Sequence, residues 1–275
     1  MTGSWHAVQI LCARQWQVSL IDSKAIVDIK AEIADDVSIG PFSVIGSEVK
    51  IDSGTIVGPH VVINGATAIG KDNHIYQFSS IGECPQDKKY ADEETHLEIG
   101  DRNIIREFTS IHRGTLQDHG LTLIGSDNLL MAYTHVAHDC IIGDHVIMAN
   151  GASIAGHVHL GDHAILGGFT LVHQFTQIGA YSFSAMGSAI TKDIPPFVMV
   201  GGRPTSPHGI NSVGMERNGI SPEVVRQIRK AYKILYKNNL RLDDAVEEME
   251  EMAGESKELS DMVSFLRNVT RGILR

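Results

Sequence analysis

His138 and Asp139 stand side by side in THVAHDC. An imidazole beside a carboxylate is the pairing from which general bases are built: the acid holds one ring nitrogen as a donor and leaves the other to accept a proton. His135 precedes this pair, His157 follows in AGHVHLGD, and His173 and Gln174 follow in VHQF. No serine or cysteine stands in convincing register with His138, which favours direct transfer onto a substrate hydroxyl over a covalent enzyme intermediate. Acyl transfer also needs a donor for the developing oxyanion, and the backbone N–H of Gly156, beside His157, is the candidate. Three histidines and a water would alternatively make a zinc centre of the carbonic anhydrase kind, which ranks lower because a histidine–aspartate contact suits proton transfer better. Histidines in a repeat protein are most simply polar corner residues. What favours a site is their alignment on one edge, and that depends on the repeat.

The repeat is six residues long. Val136, Ile142, Met148, Ile154, Leu160, Leu166 and Val172 fall six apart, a period that neither a helix nor a continuous strand produces. It fits a solenoid of short strands and corners. With three hexads per triangular coil, positions eighteen apart stack, so Val136, Ile154 and Val172 share one face and His138, His157 and His173 share one edge, coils lying ~4.8 Å apart. Asp139 and His157 then become direct neighbours. The beat begins at Ile21, runs through Ile33, Ile45, Ile63 and Ile81, resumes at Ile99, and ends after Ile178 and Ile190. Glycines after the beat, at 40, 46, 58, 70 and 82, are expected as corner residues of positive φ. Small or β-branched residues two before it, such as Val37, Ser43, Thr55 and Val61, should stack inside, and Cys140 in that register is core filler.

This pattern divides the chain into an extra tail at 1–20, a β-helix over 21–195 with loops at 83–98 and 113–122, and a linker with a helical domain over 196–275. The first loop carries a compact polar set, Gln86, Asp87, Lys89 and Tyr90. Ser221-Pro222-Glu223 is a strong helix start, and further helices are expected at about 241–254 and 257–271. Arg226, Arg229, Lys230 and Lys233 give that first helix a basic run, ordinarily a solvated face. A net charge of −10 in 275 residues argues against a nucleic-acid binder. Three cysteines without metal spacing fit a reducing compartment. Arg14, Gln15 and Gln17 interrupt the only candidate export segment, and no membrane span is expected.

SIGECPQDKKY, GDRNIIREFTSIHRGT, GSDNLLM, THVAHDC, AGHVHLGD, VHQF and the ending VTRGILR together make residues 21–275 resemble the UDP-N-acetylglucosamine O-acyltransferases that begin lipid A synthesis, within the hexapeptide-repeat acyltransferases. The resemblance implies a mainly β protein, a left-handed parallel β-helix with a C-terminal α-helical domain. It further implies a cytoplasmic homotrimer of a Gram-negative bacterium, with sites shared between subunits. No metal or other cofactor is implied; the acyl donor is an acyl carrier protein thioester and the acceptor UDP-N-acetylglucosamine. His138 becomes the general base, Asp139 its orienting partner and Gly156 the oxyanion donor. Gln86, Asp87, Lys89, His135, His157, His173 and Gln174 become substrate contacts, and Asn211 and Arg217 nucleotide or phosphate contacts. Val213 stands where the family usually has glutamate, and Glu216 and Asn218 where it has basic residues, leaving Arg217 the positive charge there. Met186 occupies the position that limits acyl-chain length, implying a chain of roughly ten carbons. The carrier protein is expected to dock on Arg226, Arg229, Lys230 and Lys233. An N-acyltransferase of the same pathway and an acetyl-CoA-dependent acetyltransferase are the neighbouring alternatives.

Overall fold

A computed structural model describes residues 20–254 and 256–275, so the expectation for the N-terminal tail lies, except for Leu20, outside the described residues. From Ile26 onward the hexads form strands of mostly two residues, which build three parallel sheets. Each strand pairs with the strand of the same side one coil away. On the first side Ser110, His135, Ser153 and Leu171 are in register, as are Ile111, Val136, Ile154 and Val172. A two-residue strand has no stability alone; its hydrogen bonds all run between coils, as from His135 N to Ala152 O at 3.1 Å.

The beat residues fill the prism. Ile39, Ile63, Ile111, Val136, Ile154 and Leu166 are fully buried, each contributing about 1.5–3 kcal/mol of transfer energy. Inward residues two before the beat are buried as well, and Ser43 shows how a polar one is satisfied: its Oγ donates to Gly58 O and accepts from Val61 N. Cys140 belongs to this layer, and burial pushes its thiol up to about 12.

The glycine expectation is corrected. Of Gly40, Gly46, Gly58, Gly70 and Gly82, only Gly82 has positive φ, at 74°. At Gly40 the requirement is close approach: a Cβ would lie 2.7 Å from Pro59 N in the adjacent coil. The left-handed turn residue comes two positions later, where Phe42, His60, Phe78, Phe108 and Tyr133 all adopt positive φ. That conformation costs each roughly 1–2 kcal/mol. Ring stacking between successive coils, at centroid separations of 5.0, 5.3, 5.1 and 4.8 Å, offsets part of it.

Two excursions interrupt the prism. One joins the strands Ser80–Glu83 and His96–Ile99; the other joins Ser110–His112 and Leu121–Ile124. Arg113 ties them together, with Nη1 donating to Gly82 O at 2.6 Å and Nη2 to Tyr90 Oη at 3.0 Å. The stretch read as a linker instead forms a hairpin, Val198–Gly201 against Ser206–Ile210, which extends the third sheet before α1 (Ser212–Arg217). Helices α2 (Pro222–Lys237), α3 (Leu242–Ala253) and α4 (Lys257–Arg267) follow. Ser221 caps α2 as expected, accepting from Val224 N at 3.4 Å. These helices bury Ile228, Leu235, Met249 and Met262 in a cluster continuous with the prism core, and Leu274 N bonds back to Asp193 O at the end of the coil. Among the described residues no helix is long and apolar enough to cross a membrane.

Candidate active site

His138 and Asp139 occupy the turn that follows the strand His135–Val136. Asp139 takes the left-handed position of that turn, at φ 56°, and is 1% exposed, covered by Thr115 from the second excursion. Burial opposes its charge, but hydrogen bonds from His138 and from Thr115 hold the carboxyl below the usual carboxylate range. Thr115 supplies two of these, from N to Oδ1 at 2.8 Å and from Oγ1 to Oδ2 at 2.6 Å. His138 Nδ1 lies 2.8 Å from Asp139 Oδ2. An ionised carboxylate only accepts, so in this contact Nδ1 is the donor and Nε2 is the ring nitrogen left free of the carboxylate.

One coil on, Gly156 sits at the position stacked on His138. A Cβ there would lie 2.5 Å from His138 Cε1 and 2.7 Å from Nε2, so glycine is what lets the ring lie over the backbone. The Gly156 N–H donates to no acceptor among the described residues. His157 follows, its ring edge-on to His138 at 5.0 Å and stacked on Phe175 at 4.2 Å. Asp139 Oδ2 is 3.9 Å from His157 Nδ1, the neighbour relation expected from the eighteen-residue spacing. The close partner of that nitrogen, however, is Asp118 Oδ2 at 2.7 Å. A depression of about 350 Å³ lies against these groups, lined by Gln86, His112, His135, His138 and Gly156, with Ala137, Ser153 and Ala155 among its small residues.

The depression thus brings an imidazole held by a carboxylate together with an unengaged backbone donor among small side chains, an arrangement whose chemistry suits acyl transfer to a hydroxyl. The C-terminal segment 193–274 matches the second-domain model of UDP-N-acetylglucosamine O-acyltransferase, and residues 30–65 and 122–156 match the bacterial transferase hexapeptide model. The acyl-[acyl-carrier-protein]–UDP-N-acetylglucosamine O-acyltransferase of Pseudomonas putida (strain W619) is 55% identical over 255 residues, covering 93% of this chain and 99% of its own. That of Herminiimonas arsenicoxydans is 54% identical over 264 residues, covering 94% and 100%. The chain belongs to the UDP-N-acetylglucosamine O-acyltransferase family. Its fold is the family's left-handed parallel β-helix with C-terminal helices. The solved enzyme of Moraxella catarrhalis superposes with TM-score 0.92 at 44% identity, covering 94% of this chain and all of that one. The Francisella novicida acyltransferase gives 0.91 at 43%, covering 93% and 94%.

The remaining residues implied by the family resemblance divide between the depression and elsewhere. Gln86 and His135 line it, His135 Nδ1 also lying 2.8 Å from Ser110 Oγ. Asp87 and Lys89 stay in the first loop, where Asp87 Oδ1 accepts from Lys89 N at 2.9 Å. His173 is exposed and bonds through Nδ1 to Gln174 O at 3.1 Å, so it does not converge with the other two imidazoles. The ligand cluster whose atoms lie within 4.8 Å is His138, Asp139 and His157, not the three-histidine set a carbonic anhydrase centre would use. Asn211 caps α1, and Arg217 ends it. Arg226, Arg229, Lys230 and Lys233 are exposed on α2, Arg226 paired with Glu223 at 2.8 Å.

Met186 does not lie on the edge that carries the histidines. It follows His138 by eight hexads, and only multiples of three return to the same edge, so it lies at the opposite corner of the first side, 80% exposed. Thr115, Asp118 and His112 were missed. All three come from the second excursion or its first strand, and no periodicity extends into a loop to announce where its side chains point.

Proposed function

We propose that this chain transfers an (R)-3-hydroxyacyl group from an acyl carrier protein thioester to the 3-hydroxyl of UDP-N-acetylglucosamine, the first step of lipid A synthesis. The names of the curated relatives support the substrates. The observation that carries the mechanism is the His138–Asp139 pair at 2.8 Å with Gly156 beneath the ring. His138 Nε2 takes the proton of the sugar hydroxyl as its oxygen attacks the thioester carbonyl, and the Gly156 N–H stabilises the oxyanion. Collapse of the intermediate forms the ester, breaks the C–S bond, and returns the proton from His138 to the departing thiolate. Asp139, buried and charged, stabilises the imidazolium between these steps. The reading includes no metal or other cofactor.

Gln86, Asp87, Lys89, His135, His157, His173 and Gln174 contact the sugar or the acyl chain, and Asn211 and Arg217 the nucleotide. The basic stripe on α2 receives the acidic carrier protein. The working form is a cytoplasmic homotrimer. Supporting that assembly, Phe42, Phe78, Phe108, Tyr133 and Phe169 form an exposed aromatic edge, Tyr133 at 63% and Phe169 at 70%, of the kind that protein contacts cover. Met186 shares that corner, so its effect on chain length would be exerted on a neighbouring subunit's site.

Mass spectrometry of the products from UDP-N-acetylglucosamine and a set of acyl carrier protein thioesters tests the reading. The expected product is a UDP-linked 3-O-(3-hydroxyacyl) sugar. Failure to form an ester with every donor would defeat it, and an amide formed only on an amino-sugar acceptor would favour the N-acyltransferase.

A further inference from the structure

His112 lies outside the groups assigned above, yet it is built into the same wall. It ends the strand Ser110–His112 and is 5% exposed. Its Nδ1 is buried without a hydrogen-bond partner among the described residues. An orphaned buried nitrogen costs roughly 1–3 kcal/mol, so its retention calls for a reason beyond packing. Burial, reinforced by His135 alongside, pushes its pKa down to about 4, so the ring is neutral at working pH and offers one donor and one acceptor.

Its position in the repeat says what it faces. Ile111, Val136, Ile154 and Val172 are in register, so one residue further on His112, Ala137, Ala155 and His173 form a column. The two alanines leave a trough, with His112 and Gln86 in its upper wall and His138 with Gly156 along its side. His112 stands one coil from Ala137, about 4.8 Å along the axis, and Ala137 adjoins His138. Groups on two adjacent coils are thus close enough to reach two substituents of a single sugar ring.

We propose that His112 is a specificity-determining residue for the acyl acceptor, hydrogen-bonding a second polar substituent of the sugar whose hydroxyl His138 deprotonates. This rests on the reaction proposed above, and its test uses binding alone. Calorimetric titration of the wild-type protein with UDP-N-acetylglucosamine, without donor, is compared with His112→Leu and His112→Asn. Leucine fills the space without a polar atom, whereas asparagine carries its amide near the Nδ1 position. The expected result is roughly tenfold weaker binding for His112→Leu, with His112→Asn within about threefold of wild type. In turnover assays the KM for the acyl thioester stays unchanged in both. Should the leucine protein not fold, His112→Phe takes its place. Equal binding by wild type and the apolar variant would overturn the assignment, as would asparagine being no better than leucine, which would mark a packing role. A wild-type protein that binds the sugar nucleotide yet forms no ester would defeat the reaction and leave the His112 comparison readable.

Discussion

The smallest scale on which this site can be broken is one proton acceptor. His138 sits at a corner and contributes little to the core, so His138→Ala is expected to keep the fold while lowering kcat by about 10²-fold or more, the ordinary contribution of a general base. Near-normal turnover in that variant would exclude the role. Residue-level electrostatics also set an acid limit on stability. Burial pushes His112 and His74 from 6.5 down to about 4, with His135 beside the first and Arg106 beside the second adding repulsion. In the window from about 6.5 to 4 the unfolded chain takes up protons that these folded imidazoles refuse. Their neutral burial is therefore tolerated fully above that window, and stability is lost as pH falls through it. Thermal unfolding at pH 7 and pH 5 should show the lower midpoint at pH 5, with a smaller difference in His112→Asn. A midpoint independent of pH over this range would contradict the assignment. His138 and Asp139 were legible as a pair because they adjoin in sequence. Asp118 was not, because its contact with His157 spans 39 residues and is made by a loop.

Elements decide which residues can meet. The hexads predicted that Asp139 would neighbour His157, since positions eighteen apart must stack, and the separation is 3.9 Å. They did not predict the glycine geometry, because a residue that follows the beat can be glycine for two reasons: positive φ, or the approach of the next coil. Only the stacked backbone separates them. Helix α2 carries its prediction at this scale. Arg226, Arg229, Lys230 and Lys233 recur at three- and four-residue steps and so lie along one exposed stripe. Reversing the charge of Arg229, Lys230 and Lys233 is expected to raise KM for the acyl carrier protein thioester several-fold at low salt. KM for the sugar nucleotide should not change. Screening acts within about 8 Å at physiological ionic strength, so the effect should shrink as salt is added. An unchanged thioester KM at low salt would leave the stripe a solvated face.

At the scale of the whole molecule, the trough is open along the first side and Met186 is at that side's far corner. In the proposed homotrimer, an acyl chain bound at one subunit would meet the Met186 of a neighbour, whose thioether would close the groove. In donor competition the wild-type protein is expected to prefer a chain of about ten carbons, each methylene setting a discrimination of roughly 10–200-fold. Met186→Gly should move the preference to longer chains. A wild-type optimum near fourteen carbons, or a glycine variant with unaltered preference, would end the assignment of Met186 as a chain-length stop.

The sequence by itself determined the solenoid, its inward layers, the stacking of Asp139 on His157 and the start of α2, because each depends on spacing along the chain or on a local cap. The wall around the base depended on tertiary structure. Thr115 and Asp118 reach Asp139 and His157 from an excursion with no period, and His112 becomes an unpartnered nitrogen only when neighbouring coils enclose it. Met186 shows the same division: eight hexads from His138 already place it on another edge of a three-cornered coil, whereas its exposure at 80% follows only from how the coils stack.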